Sequence, residues 1–190
     1  MNDISRGKIM LNTIVLFVHP RPQRSRVNSA LREAISDLPN TEIHDLYEAY
    51  PDFYIDVKRE QAKLLAHDLI VFQHPVYWYA APALLKEWLD TVLEYGWAHG
   101  TNGNALRGKY WLQAITLAGT ESSYGEGGRN RFPITEFLRP FEVTAYTCQM
   151  VWLPPFPTYG TPTLDSAAIA ARAATYRERL ATLQRDPESR

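Results

Sequence analysis

Three short stretches of the chain hold side chains whose types and spacing can do chemistry. The first is His19 to Asn28 (HPRPQRSRVN), where a turn feeds the start of an expected helix. Free backbone N–H groups and the helix dipole make such a start an anion seat. The Ser25 hydroxyl can add a hydrogen bond, and Arg24 and Arg26 add positive field. The stretch matches neither G-x-x-x-x-G-K-[ST] nor G-x-G-x-x-G, so a triphosphatase loop and a dinucleotide fingerprint are both unsupported. An ordinary helix cap with surface arginines would read the same way, and the pattern does not separate the two.

The second stretch is Pro75 to Tyr79 (PVYWY), a strand-to-helix turn crowded with rings where polar residues are usual. Tyr77, Trp78 and Tyr79 can hold a planar ring by stacking and through the Tyr hydroxyls. Packing under a neighbouring loop, or contact between two copies of the chain, also accounts for one or two of them. The third is Thr116 to Gly128 (TLAGTESSYGEGG). Gly119 suits close approach of backbone to a ligand, and Gly125, Gly127 and Gly128 suit a loop that moves; a long surface loop is the plain alternative. A phosphate seat beside a seat for a flat ring asks for a ligand such as flavin mononucleotide (FMN).

These stretches need a scaffold that brings them together. Ile9 to Val18 is apolar and β-branched almost throughout, as in a strand covered on both faces. Ser25 caps a helical stretch, Val27 to Leu38, ended by Pro39-Asn40. Glu42 to Leu46 reads as a strand, Tyr47 to Asp56 as an aromatic loop and Val57 to His67 as a helix. Asp68 to Gln73 is the third strand and Pro82 to Tyr95 a helix with Pro at its start. After the loop Gly96 to Gly108 come a strand, Tyr110 to Leu117, and the loop Ala118 to Phe132. A short helix (Pro133 to Phe141), a fifth strand (Ala145 to Trp152) and a helix (Leu164 to Leu183) complete the chain. Residues 1–8 and 184–190 read as loose ends of one domain.

Strands alternating with helices predict an α/β fold, a parallel sheet with helices on both faces. Ligands of such sheets sit beyond the carboxyl ends of the strands, at the switch in strand order. His19, His74 to Tyr79 and Ala118 to Tyr124 all follow strands on that edge.

The bulk numbers remove other classes. The chain has 190 residues, 45% hydrophobic and 22% charged, with a net charge of −1. This is ordinary composition for one globular domain, without the basic excess of a nucleic-acid binder. Met1 to Met10 lacks the apolar core of a signal peptide, and no apolar stretch approaches the roughly 20 residues of a membrane span. The lone Cys148 can form no intrachain disulfide and suits a reducing cytosol; it reads as an inert thiol in the fifth strand. His44, His67 and His99 lack metal-ligand spacing, Asp45 and Glu48 read as a solvated acidic loop, and no Ser/His/Asp set suggests a hydrolase.

Four strings carry a resemblance: HDLYEAYPDFYIDVKREQA (44–62), IVFQHPVYWYAAPALLKEWLD (70–90), GKYW (108–111) and NRFPITEFLRPFE (130–142). From Ile9 to about Leu153 the chain resembles the NAD(P)H:quinone reductase family of flavodoxin-like flavoproteins. It is most similar to the ancillary subunits of the glutathione-gated Kef potassium-efflux systems. The resemblance implies a flavodoxin-like three-layer sandwich with five parallel strands in the order 2-1-3-4-5. It also implies bound FMN, NAD(P)H as electron donor and two-electron ping-pong hydride transfer to a quinone or similar electrophile.

Position by position, the resemblance assigns FMN contacts to His19, to the S-x-x-N loop Ser25, Arg26, Val27 and Asn28, and to Val76, Tyr77, Trp78 and Tyr79. It assigns the turn beside the ring to Thr116, Leu117, Ala118 and Gly119, and the catalytic tyrosine to Tyr124. Two positions depart from the pattern. Ala118 stands where the family has glycine, and the family's histidine has no counterpart, Asn130 falling at its place.

The resemblance further implies a homodimer and, through a Kef-type potassium/proton antiporter, a place at the inner face of the cell membrane. Rings crowded on Tyr47 to Tyr54 and Tyr95 to Trp97 point to a dimer as well. The competing expectation is a regulatory interaction protein of a transporter with little or no catalysis.

Overall fold

The computed structural model describes residues 10–188. Its sheet contains β1 (Thr13–Phe17), β2 (Thr41–Asp45), β3 (Leu69–Pro75), β4 (Tyr110–Thr116), β5 (Val151–Trp152) and β6 (Phe156–Thr158). All pairings are parallel, in the order β2-β1-β3-β4-β5, with β6 also on β4. β5 pairs with the start of β4 and β6 with its end. They are two halves of one edge strand, broken at Leu153 to Pro155.

Helices cover both faces. α1 (Arg26–Ala34) and α6 (Ser166–Arg185) share one side; α2 (Leu46–Ala49), α3 (Val57–Ala66), α4 (Ala83–Val92) and α5 (Ile134–Thr147) share the other. Alternate side chains of β3 explain why its first four residues are all apolar. Ile70 and Phe72 pack under α4 and α5, while Leu69 and Val71 pack under α1 and α6. Phe72 stacks on Trp111 with centroids 4.2 Å apart and meets the edge of Trp88 at 5.8 Å.

A buried polar hub ties the second layer down. Glu60 of α3 is 0% exposed. It accepts hydrogen bonds from Tyr50 (2.6 Å) and the Trp88 indole (2.8 Å) and pairs with His44 of β2 (2.8 Å). Burial pushes the Glu60 carboxyl up, but the bonds from His44, Tyr50 and Trp88 outweigh it and hold it below its ordinary value. Asp45, expected in a solvated loop, instead caps α2 through the Tyr47 and Glu48 N–H groups.

Four expectations need correction. The helix expected to end at Phe141 runs through Pro140 to Thr147, so Ala145 to Thr147 are helical and only Val151–Trp152 remain as strand. Phe141, Ala145 and Cys148 fall at helical spacing on the buried face, which outweighs the β-branched and aromatic composition of the segment. Cys148 therefore closes α5 rather than lying in a strand; it is buried, and burial pushes its thiol up to about 11, which keeps it protonated and unreactive. Gln184, taken as the start of a loose end, is fully buried, its amide donating to the Pro39 carbonyl and Thr41 hydroxyl. The rings of the 47–54 loop are not all exposed, since Tyr50 is buried and Tyr47 packs against the core. The expected loose end 1–8 lies outside the described residues.

Candidate active site

The carboxyl ends of β1, β3 and β4 open into two adjoining clefts. The first measures about 490 Å³ and lies at the start of α1. After His19 the chain turns through Pro22–Arg24 into α1, and the Ser29 hydroxyl donates to the Pro22 carbonyl at 2.9 Å, fastening the turn to the helix. Ser25 is the N-cap, yet its hydroxyl makes no capping bond; it lines the cleft instead. Arg21, Arg24 and Arg26 also line it, and among the described lining residues none is a carboxylate. With the unpaired N–H groups of the first helical turn, this is an anion seat.

Asn28 and Thr116 form the cleft's inner wall. Asn28 is 1% exposed, and its amide donates to the Thr116 hydroxyl at 2.6 Å. Its carbonyl oxygen, Oδ1, is buried with no hydrogen-bond partner. A buried acceptor left unpaired costs about 1–3 kcal/mol, which a ligand hydroxyl reaching that wall would recover. His19 is buried at the end of β1. Its Nδ1 accepts the Arg21 N–H at 3.0 Å, its ring meets Tyr77 edge-on, and burial lowers its pKa so that it is neutral.

The second cleft measures about 260 Å³ and is lined in part by the rings of Trp78, Tyr79 and Tyr124. Its wall is the turn Tyr77 to Ala80, closed by two reciprocal backbone hydrogen bonds of 3.0 Å. Trp78 and Tyr79 both take left-handed backbone, with φ of 50° and 64°. That geometry favours Gly or Asn, and a strained residue of this kind costs about 1–3 kcal/mol. His74 steadies the base of the turn, its Nδ1–H donating to the Pro75 carbonyl at 2.9 Å. Trp78 at the tip is 94% exposed. Strain with no packing in return marks a residue held out for something else to meet.

Opposite the turn stand Gly119, Tyr124, Arg129 and Asn130. A side chain at Gly119 would bring its Cβ to 3.2 Å from the Tyr124 ring, so glycine keeps the phenol where it is. Tyr124 packs against Phe137 and Tyr159. Burial, with a smaller effect from Tyr79, raises its pKa, and the phenol stays a proton donor. The Tyr79 hydroxyl donates to Asn130 at 3.3 Å, joining the two walls.

The two clefts share Val76 and Ala118 and so form one elongated site. His19, Ser25, Arg26, Val27, Asn28, Tyr77 and Thr116 line the first part; Trp78, Tyr79, Gly119 and Tyr124 line the second. Leu117 lines neither. Its side chain is in the core, its N–H donates to the Thr158 carbonyl, and its carbonyl accepts from Thr161. Thr161 and Pro162 of the first cleft and Arg129 of the second were missed from the sequence. The first two follow β6, a strand that went unread, and Arg129 sits in a loop without periodicity.

A cationic seat, a buried unpaired acceptor and an aromatic slot form the arrangement of an α/β protein that binds a nucleotide-like cofactor at its sheet edge. These residues fit FMN: the arginines and helix start suit its phosphate, Asn28 Oδ1 a ribityl hydroxyl, and the slot its ring. The chain belongs to the flavodoxin-like fold family, whose family model matches residues 11–180. It is 44% identical over 180 residues to YdeQ of Bacillus subtilis, named an uncharacterized NAD(P)H oxidoreductase, covering 95% of this chain and 91% of that one. It is 47% identical over 169 residues to the glutathione-regulated potassium-efflux system ancillary protein KefG of Pectobacterium carotovorum, covering 89% and 92%. Among solved structures, general stress protein 14 of Treponema denticola, in complex with FMN, superposes with a TM-score of 0.86 at 36% identity, covering 90% and 99%.

Proposed function

We propose that the chain is an FMN-dependent NAD(P)H:quinone-type oxidoreductase. The observation that carries this reading is the continuity of the anion seat with the aromatic slot through Val76 and Ala118. Relatives named as an NAD(P)H oxidoreductase and a structure holding FMN support it. FMN, when bound, supplies two-electron hydride chemistry between a nicotinamide and a quinone-type acceptor, which use the same slot in turn.

The chain's own residues have defined parts. Arg21, Arg24, Arg26 and the start of α1 bind the phosphate; Asn28, held by Thr116, orients the ribityl chain. Trp78 and Tyr79 exclude water from the ring, and the Tyr124 phenol offers a hydrogen bond where negative charge develops on reduction. A positioned proton donor is worth roughly 10²–10⁴-fold, and a hydrogen bond from a half-buried phenol falls at or below the low end. Tyr124→Phe is therefore expected to slow reduction of the bound flavin by NAD(P)H by roughly 10- to 100-fold, with FMN content unchanged. Stopped-flow absorbance measures it, and a wild-type rate would reduce Tyr124 to loop packing.

The reading includes a homodimer. An apolar groove of about 650 Å³ between α4 and α5 is lined by Leu89, Phe137, Phe141 and Val143 and reaches Tyr79 of the ring slot. Val143 is itself exposed, as is Tyr146 on the same helix. A second copy seated there would cover the patch and wall the slot. Light scattering at micromolar concentration is expected to give about twice the 21.7 kDa chain mass; a monomer would remove this part.

The identity to KefG supports a cytoplasmic role as the ancillary subunit of a Kef-type potassium/proton antiporter. Among the described residues no helix is long and apolar enough to cross a membrane, so contact with the membrane would come through that partner. A second reading, transporter regulation with little catalysis, draws on Ala118, which lines both clefts and adds a methyl where the resembling family has glycine. The purified protein's spectrum separates the two. Yellow protein, or protein that takes up FMN and is reduced by NAD(P)H, supports the enzyme; colourless protein that FMN cannot reconstitute supports the regulator.

A further inference from the structure

The ring slot contains a charge that none of the assigned contacts uses. Arg129 lines it beside Tyr124 and Asn130, and among the described lining residues there is no carboxylate. No ion pair engages its guanidinium among the described residues. Its place is set by backbone. The loop doubles back so tightly that a Cβ at Gly128 would lie 2.6 Å from the Ser123 carbonyl oxygen. The Asn130 N–H then donates to that carbonyl at 2.8 Å. Only glycine permits this return, and the return sets Arg129 next to the tyrosine.

We propose that Arg129 is a further catalytic residue: a permanent positive charge that stabilises the flavin ring in its reduced, anionic form. This rests on the FMN reading above. In the reductive step the nicotinamide C4–H bond breaks and its hydrogen leaves with both electrons to form the bond at flavin N5. The nicotinamide becomes a cation and the ring system gains one negative charge, centred on its N1–C2 edge. A cation already in place lowers the energy of that product and of the transition state leading to it. Guanidinium does not deprotonate in proteins, so Arg129 supplies field and Tyr124 supplies the hydrogen bond. The division of labour replaces the histidine that the resembling family carries and this chain lacks.

The test uses FMN-loaded protein and two readouts that need no turnover. The first is the two-electron midpoint potential of the bound flavin, measured by dye equilibration. The second is the affinity for sulfite, which adds to N5 and leaves the same negative charge on the ring. Arg129→Gln is expected to shift the oxidised-to-reduced balance roughly 10-fold toward oxidised, about 30 mV for a two-electron couple. Sulfite binding should weaken by roughly as much, while Arg129→Lys retains most of both. Because the charge is exposed, the wild-type-to-variant difference should shrink at about 1 M salt, where screening acts within about 3 Å. Equal potentials in wild type and Arg129→Gln, with FMN bound to both, would overturn this inference alone. A wild-type chain that takes up no FMN would overturn the functional reading and this inference with it.

Discussion

A Ser25→Glu chain is expected to fold normally and to bind FMN at least roughly 100-fold more weakly than wild type. Ser25 caps α1 without using its hydroxyl for the cap, so the helix does not depend on that side chain. A carboxylate there would meet Arg21, Arg24 and Arg26, which line the same cleft, together with the helix's own positive end. It would neutralise the seat from within and face the incoming phosphate with like charge. Like-charge juxtaposition costs several kcal/mol, and about 2.7 kcal/mol is 100-fold in affinity. Ser25→Ala, which removes a hydroxyl and adds no charge, should lose only a few-fold. Flavin fluorescence titration with a circular-dichroism check on folding measures both. Wild-type affinity in a folded Ser25→Glu chain would mean the cleft is a cap and not a seat.

The largest stability effect is expected at Glu60. Removing the acceptor of a buried polar group leaves that group unsatisfied at a cost of about 1–3 kcal/mol, and here three groups share one acceptor. In Glu60→Ala the His44 ring, the Tyr50 hydroxyl and the Trp88 indole would all lose their acceptor at once. Since Glu60's folded pKa is below its ordinary value of 4.5, its contribution is complete above about that pH. It is lost as pH falls through the folded value. Denaturant unfolding at neutral pH should show the full loss in Glu60→Ala, and the gap from wild type should narrow in acid. A gap that is equally wide in acid would rule out carboxylate ionisation as its source.

The parts of this fold that the sequence displays are those where one physical demand acts alone. β1, β3 and β4 are covered on both faces, so Ile14 to Val18, Leu69 to Phe72 and Trp111 to Ile115 are buried, and runs that are apolar except for Gln113 announce them. The anion seat and the aromatic turn were legible because each uses residue types that loops otherwise avoid. Other features answer to competing demands. The run from Ala145 to Trp152 carries strand-like composition on a helical end. Pro155 and Pro157 hide β6, since proline argues against a strand, and with β6 went Thr161 and Pro162. The strain at Trp78 and Tyr79 is a backbone property that residue identity does not disclose. Gln184 is buried through hydrogen bonds to residues more than a hundred positions away, which no local window contains.

The broken edge formed by β5 and β6 affects how chains meet one another. An exposed sheet edge is a template on which another strand can add, and proteins blunt such edges with short strands and proline. Here the outer edge is divided into pieces of two and three residues, and the second has proline at its centre, without an N–H to offer. Strand-by-strand growth into aggregates is closed off on that side of the molecule. The proposed pairing of chains uses the helical flank instead of this edge.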